Sequence, residues 1–170
     1  MDAAGDLSAT AFRRYERVFG SDQPYTLVAC MQLAIVGRRM DDPERSLDLD
    51  TVAHTGLRRR LGDDHPWVLA AATNLASDRY ALERLALAHE LDADTHQRSR
   101  RVLGDDHPST LLAGANLAMD LRALGRSDEG ERLLARTAEG LERVLGPLHP
   151  LVTSVREGQR VDVDIDPQPL

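Results

Sequence analysis

The sequence has no lysine: all 21 of its cationic side chains are arginine. Against 28 carboxylates this leaves a formal charge of −7. That balance argues against a non-specific nucleic-acid binder, which needs surplus cations to release counterions from phosphate. Aromatic residues make up only 4% of the chain. A core must then come from Leu, Ala and Val, which suits closely packed helices better than an aromatic-rich sheet. The one cysteine, Cys30, cannot form an internal disulfide or a cysteine-based metal site. Between Ala29 and Met31 on an apolar helix face it reads as a small buried hydrophobe. No apolar run is long enough to span a bilayer, and the acidic N-terminus lacks the basic-then-apolar order of a signal peptide. A cytoplasmic protein without a membrane partner is the expectation. Catalytic signatures are also missing. There is no glycine-rich phosphate loop and no Gly-x-Ser-x-Gly elbow, and no cofactor is expected.

What the sequence does contain is a repeat. Gly62-Asp63-Asp64-His65-Pro66 recurs as Gly104-Asp105-Asp106-His107-Pro108 and as Gly146-Pro147-Leu148-His149-Pro150, at steps of 42 residues. One more step back, Gly20-Ser21-Asp22-Gln23-Pro24 is a fourth copy without the histidine. The register holds in between. Leu33-Ala34, Leu75-Ala76 and Leu117-Ala118 correspond; so do Leu49, Leu91 and Leu133, and the small residues Ser46, Ala88 and Gly130. Pro24, Pro66, Pro108 and Pro150 are placed to open first helices, where a missing N–H costs nothing. Gly20, Gly62, Gly104 and Gly146 are placed to close second helices in the left-handed conformation. Asp and His between them can cap the following helix.

These boundaries divide one continuous all-α domain into an N-terminal half-repeat (1–19), three repeats (20–61, 62–103, 104–145), a C-terminal capping helix (146–160) and an extended acidic tail (161–170). The tail alternates apolar and acidic residues from Val161 to Asp166. Two departures in the second unit, Arg79 for Leu121 and Glu83 for Gly125, predict a longer or distorted first helix there.

A unit such as His107-Pro108-Ser109-Thr110-Leu111, Asn116-Leu117-Ala118, Leu124-Gly125-Arg126 and Arg143-Val144-Leu145-Gly146 resembles the 42-residue tetratricopeptide repeat of kinesin light chains. The chain is similar to actinobacterial proteins of this kind, including those beside FxSxx-COOH ribosomal-peptide clusters, and its acidic, proline-rich ending resembles endings in that group. The resemblance implies a right-handed superhelical solenoid of antiparallel helix pairs that binds a protein or peptide segment in a concave groove. An accessory role in a bacterial peptide-modification or signalling system is one form this takes.

In repeats of this type the first helices line the groove, and residues three and four apart share a helix face. That face collects Gln32, Ile35 and Arg39 in the first unit. It collects Thr73, Asn74, Ser77 and Tyr80 in the second, and Asn116, Met119 and Arg122 in the third. Asn74 and Asn116 are the only asparagines, and they are equivalent by the repeat. A carboxamide both donates and accepts, so such a row can grip an extended main chain; a hydrogen bond between neighbouring helices is the other reading. Arg39 and Arg122 suggest an acidic ligand, and an acidic tail lying in the groove would compete with one.

Three further features each admit two readings. His65, His107 and His149 recur beside carboxylates. Successive loops lie about 10 Å apart, too far to share an ion, so helix capping is favoured over a metal-dependent enzyme. Arg58, Arg59 and Arg60, with Arg98, Arg100 and Arg101, fall at second-helix ends, where cations complement the helix dipole; binding an acidic partner is the alternative. Leu7, Tyr15 and Phe19 belong to a half-repeat with no preceding helix, which makes a homo-oligomer an alternative outcome.

Overall fold

The computed structural model describes residues 3–165, and the end of the acidic tail, residues 166–170, lies outside them. The described residues form eight helices: α1 (Ala3–Phe19), α2 (Pro24–Arg39), α3 (Pro43–Leu61), α4 (Pro66–Ala81), α5 (Leu85–Leu103), α6 (Pro108–Ala123), α7 (Ser127–Leu145) and α8 (Pro150–Arg156). Each helix packs on its sequence neighbours, giving antiparallel pairs in a linear stack. The first helices of successive units also touch one another, α2 with α4 and α4 with α6. Successive second helices make at most marginal contact. A stack that is tight along its first helices and open along its second helices curves, and the first helices line the inside.

The punctuation acts as its chemistry requires. Pro24, Pro66, Pro108 and Pro150 open their helices. His65, His107 and His149 occupy the N-cap, each accepting a backbone N–H at Nδ1 from the residue two positions on, at 3.1 to 3.2 Å. This use of the ring explains the recurrent histidines as caps. Among the described residues, no group of three or more His, Cys, Asp or Glu side chains is arranged to hold a metal ion. Gly62, Gly104 and Gly146 end the second helices with φ of 85°, 92° and 88°.

The first helices α2, α4 and α6 all have 16 residues. The longer or distorted helix expected in the second unit is therefore absent. Glu83 adopts φ 58° where Gly125 has 80°, and its turn repeats the same two hydrogen bonds: Glu83 N–H to Tyr80 C=O and Arg84 N–H to Arg79 C=O. A left-handed non-glycine residue costs roughly 1–2 kcal/mol. The two capping hydrogen bonds and the packed helices on either side hold it in place.

Ser46, Ala88 and Gly130 mark a close crossing between the helices of each pair. A Cβ on Gly130 would lie 2.8 Å from the Ala118 carbonyl oxygen, and the Ser46 hydroxyl donates to the Ala34 carbonyl at 2.9 Å. Cys30 is buried in the core, and burial pushes its thiol up to about 12. No helix among the described residues is long and apolar enough to cross a membrane.

The last helix, α8, has seven residues and stops at Arg156, short of the expected 160. Gly158 is the reason. It takes φ 72°, its N–H bonds Val155 C=O, and the Gln159 N–H bonds Ser154 C=O, which together form a Schellman ending. Gly158 stands one repeat after Asn116. Where a third asparagine would have stood, the chain instead turns back into the concave side.

Candidate functional site: an asparagine ladder occupied by the tail

Residues 160–165 run along the inner face in the direction opposite to the repeats. Asn116 Nδ2 donates to the Val161 carbonyl and Asn116 Oδ1 accepts the Val161 N–H, both at 2.9 Å. Asn74 makes the same pair of bonds with Val163, again at 2.9 Å. Both asparagines have 0% exposure. One repeat along the stack thus matches two residues along the extended chain, about 6.7 Å of strand. The alternation of the tail then decides which side chains face inward. Val161, Val163 and Ile165 are buried in the same core cluster as the helices, while Asp162 and Asp164 fall between them. In the first unit Gln32, equivalent to Asn74 by the repeat, bonds the side chain of Asp164 instead of a main-chain amide.

The tail's polar groups are also met. Asp162 Oδ1 accepts from Arg38 Nη2 at 2.7 Å and Nε at 3.2 Å, and its Oδ2 accepts from Arg39 Nε at 3.2 Å. Arg160 lies over the Tyr80 ring, 4.7 Å from its centroid. It donates to Asp92 Oδ2 and Asp120 Oδ1 at 2.5 Å each, to the Asn116 carbonyl at 3.3 Å and to Ser77 Oγ at 3.3 Å.

Most of the inner-face residues read from the sequence meet here. Gln32, Arg39, Asn74, Ser77, Tyr80 and Asn116 touch the tail directly. Ile35, Thr73 and Met119 are buried. The Thr73 hydroxyl serves its own helix, donating to the Leu69 carbonyl at 3.1 Å. Arg122 departs from the expectation of an acidic ligand, because it pairs with Glu131 of its own unit at 3.2 Å. The hydrogen bonds of Asn74 and Asn116 run to extended main chain, not to neighbouring helices. An open cleft of about 410 Å³ remains beside the tail, between Arg38 and Arg39 on one side and Tyr80 and Met119 on the other.

Sequence reasoning missed the charges beneath the ladder. Asp50 and Asp78 form one buried acidic pair, and Asp92 and Asp120 form another exactly one repeat on, all four at 0% exposure. Burial is the largest cause raising all four carboxyl pKa values; Asp50 and Asp92 are raised furthest, with the neighbouring carboxylate adding to the effect. Each carboxylate leaves one oxygen without a donor. The two carboxyls of each pair converge on one guanidinium, and the raised values favour a proton on the pair. The signal was present in the register, since Asp78 and Asp120 each sit one helical turn after an asparagine.

The arginine clusters lie in the last turns of the second helices, as expected, and also form ion pairs. Arg59 and Arg60 reach Asp22, Arg98 and Arg101 reach Asp64, and Arg143 reaches Asp106, so each reaches back to the loop that opens its own unit. Arg58 and Arg100 pair with Asp63 and Asp105 just beyond their own helices, which lowers those carboxyl pKa values. Leu7 and Phe19 of α1 are 75% and 55% exposed, and Tyr15 lies beside them at the margin of exposure.

The helix pairs, their period and their mode of stacking define a tetratricopeptide solenoid. Residues 68–109 and 110–151 each match the tetratricopeptide repeat family. Among solved structures, the chain is similar to a Podosopora anserina kinesin light chain protein with nearly identical TPR-like repeats. That likeness has a TM-score of 0.70 at 21% identity, over 91% of this chain and 73% of that one. A point variant of the same protein gives 0.67 at 21% identity, over 83% and 66%. No curated protein sequence matches significantly. The chain is a tetratricopeptide repeat protein, and its fold is similar to that of the kinesin-light-chain-like repeats.

Proposed function

We propose that the chain is a peptide-binding module whose concave face grips an extended segment through Asn116 and Asn74, with its own tail as the resident occupant. One observation carries this reading: two buried carboxamides, one repeat apart, each make a reciprocal pair of bonds to alternate residues of an extended chain. Main-chain recognition of this kind is indifferent to sequence. Selectivity falls to the alternate side-chain sites, as in strand-addition complexes. Because the tail is tethered within a few residues of the groove, its effective concentration is of millimolar order. A ligand in trans must outcompete it or arrive when it is loosened. In the source cell such a ligand would be a segment of a protein or peptide partner, and the module would act as an adaptor.

The test uses the full chain with Val161→Ala and Val163→Ala, which loosens the tail, and a fluorescent peptide of residues 157–165. Anisotropy should rise on binding, and adding Asn74→Ala with Asn116→Ala should abolish the rise. Equal binding with and without the asparagines would refute the reading.

A second reading, self-association, is favoured by α1 alone. Leu7, Tyr15 and Phe19 are equivalent by the repeat to Leu49, Leu57 and Leu61, of which Leu57 is completely buried. The same positions on α1 lack that cover. Sedimentation equilibrium should then show a concentration-dependent dimer that Leu7→Glu with Phe19→Glu abolishes. A monomer at all concentrations would remove this reading.

A further inference from the structure

The two buried acidic pairs are equivalent by the repeat, but their cations come from different places. At Asp50 and Asp78 the guanidinium is that of Arg38, from the preceding first helix. It bonds Asp78 Oδ1, Asp50 Oδ2 at 3.4 Å and the Asn74 carbonyl at 3.3 Å. At Asp92 and Asp120 the corresponding contacts are made by Arg160: Asp120 Oδ1, Asp92 Oδ2 and the Asn116 carbonyl. The position equivalent to Arg38 in the second unit is Tyr80. Tyrosine supplies no cation; its ring forms a wall against which a guanidinium stacks. The body of the solenoid therefore builds the second pocket complete except for its cation, and leaves that position open to the groove.

We propose that Asp92, Asp120, Tyr80 and the Asn116 carbonyl form an arginine-selecting subsite of the groove. A ligand bound in trans then presents an arginine immediately before the residue gripped by Asn116. This rests on the peptide-binding reading and specifies it. Arg160 precedes Val161, the residue on Asn116, so the order of contacts fixes a ligand pattern: arginine, apolar, acidic, apolar. The apolar positions follow Val161 and Val163. The acidic position follows Asp162, which meets Arg38 and Arg39. A planar guanidinium can bridge two carboxylates and a carbonyl while stacking on an aromatic ring, which an ammonium cannot do. The groove is thus selective for a segment carrying both charges in a set order, not for an acidic segment in general.

The test uses the full chain carrying Arg160→Ala, Val161→Ala and Val163→Ala, which empties the subsite and loosens the tail while Asn74 and Asn116 stay in place. Four fluorescent peptides of residues 157–165 are compared by anisotropy: native, Arg160→Lys, Arg160→Gln, and one with Arg160 and Asp162 exchanged. The native peptide should bind, Arg160→Lys should bind more weakly, and Arg160→Gln should bind roughly tenfold to a hundredfold more weakly than native. The exchanged peptide, with the two charges in the wrong order, should lose most of its affinity. Asp92→Asn in the receptor should shrink the difference between native and Arg160→Gln. Should that receptor fail to fold, methylguanidinium supplies the check: it should raise the melting temperature of the Arg160→Ala chain more than methylammonium does. Equal binding of native and Arg160→Gln peptides would overturn the subsite while leaving the ladder standing. No binding by any peptide would overturn the ladder and the subsite together.

Discussion

The first acidic pair and the second are built from carboxylates and a carbonyl at equivalent positions of the repeat, yet one belongs to the framework and the other to the groove. Arg38 is carried by α2, so the cation of Asp50 and Asp78 belongs to the helical framework. Arg160 sits on a chain segment with no helix of its own, held by two asparagines and a row of apolar side chains. The comparison shows how a repeat protein acquires a site. The residues that build a structural interaction in one unit are kept in the next, and the cation alone is moved onto a segment that can leave.

The largest effect should come from breaking the framework pair. Arg38→Ala leaves Asp50 and Asp78 buried without their cation, and removing one partner of a buried pair costs about 3–5 kcal/mol. Urea denaturation should show that loss as a lower midpoint. Arg160→Ala should cost less, about 1–3 kcal/mol, because the tail can leave and let water reach Asp92 and Asp120. Its main consequence should be faster proteolysis after residue 158, with the helix signal retained. Equal losses for the two variants would erase the distinction between framework and groove.

A smaller effect concerns pH. The carboxyls of Asp50 and Asp92 are raised well above the ordinary range by burial, with the neighbouring carboxylate adding to the shift. A raised folded-state pKa means that the native state binds the proton more tightly than the unfolded state. The stability this contributes is complete below the ordinary carboxyl range and is lost as pH rises through the raised values. Asp50→Asn with Asp92→Asn should flatten that decline when stability is measured across the series. An unchanged slope would show that no proton is shared within the pairs. The smallest effect should come from the outer rim. Arg143→Ala removes an exposed pair to Asp106, and such pairs contribute little in water. The denaturation midpoint should not move measurably.

The helix order was legible because the repeat is written in residues with few alternative uses: Pro at helix starts, Gly with positive φ at helix ends, His at the N-cap. The ladder was legible because Asn74 and Asn116 are rare and in register. The tail's extended form was legible in its alternation. The acidic pairs were not, since Asp50, Asp78, Asp92 and Asp120 each resemble ordinary surface aspartates, and only tertiary packing takes them out of water. Arg160 was hidden for a related reason. Counting by repeat places it in a helix, but Gly158 ends that helix and sends the arginine into the groove. Glu83 misled in the opposite direction: a residue poorly suited to a left-handed turn is held there by the packed helices on either side.

The central claim is that Asn116 and Asn74 hold an extended chain by its backbone. Residue-resolved hydrogen exchange on the amides of Val161 and Val163, in the native chain and in the Asn74→Ala, Asn116→Ala variant, tests it most directly. Both amides should be protected well beyond the alternate amides of Asp162 and Asp164 in the native chain, and should lose that protection in the variant while the helices keep theirs. Exchange at Val161 and Val163 that is as fast as at their neighbours, or unchanged by the two substitutions, would contradict it.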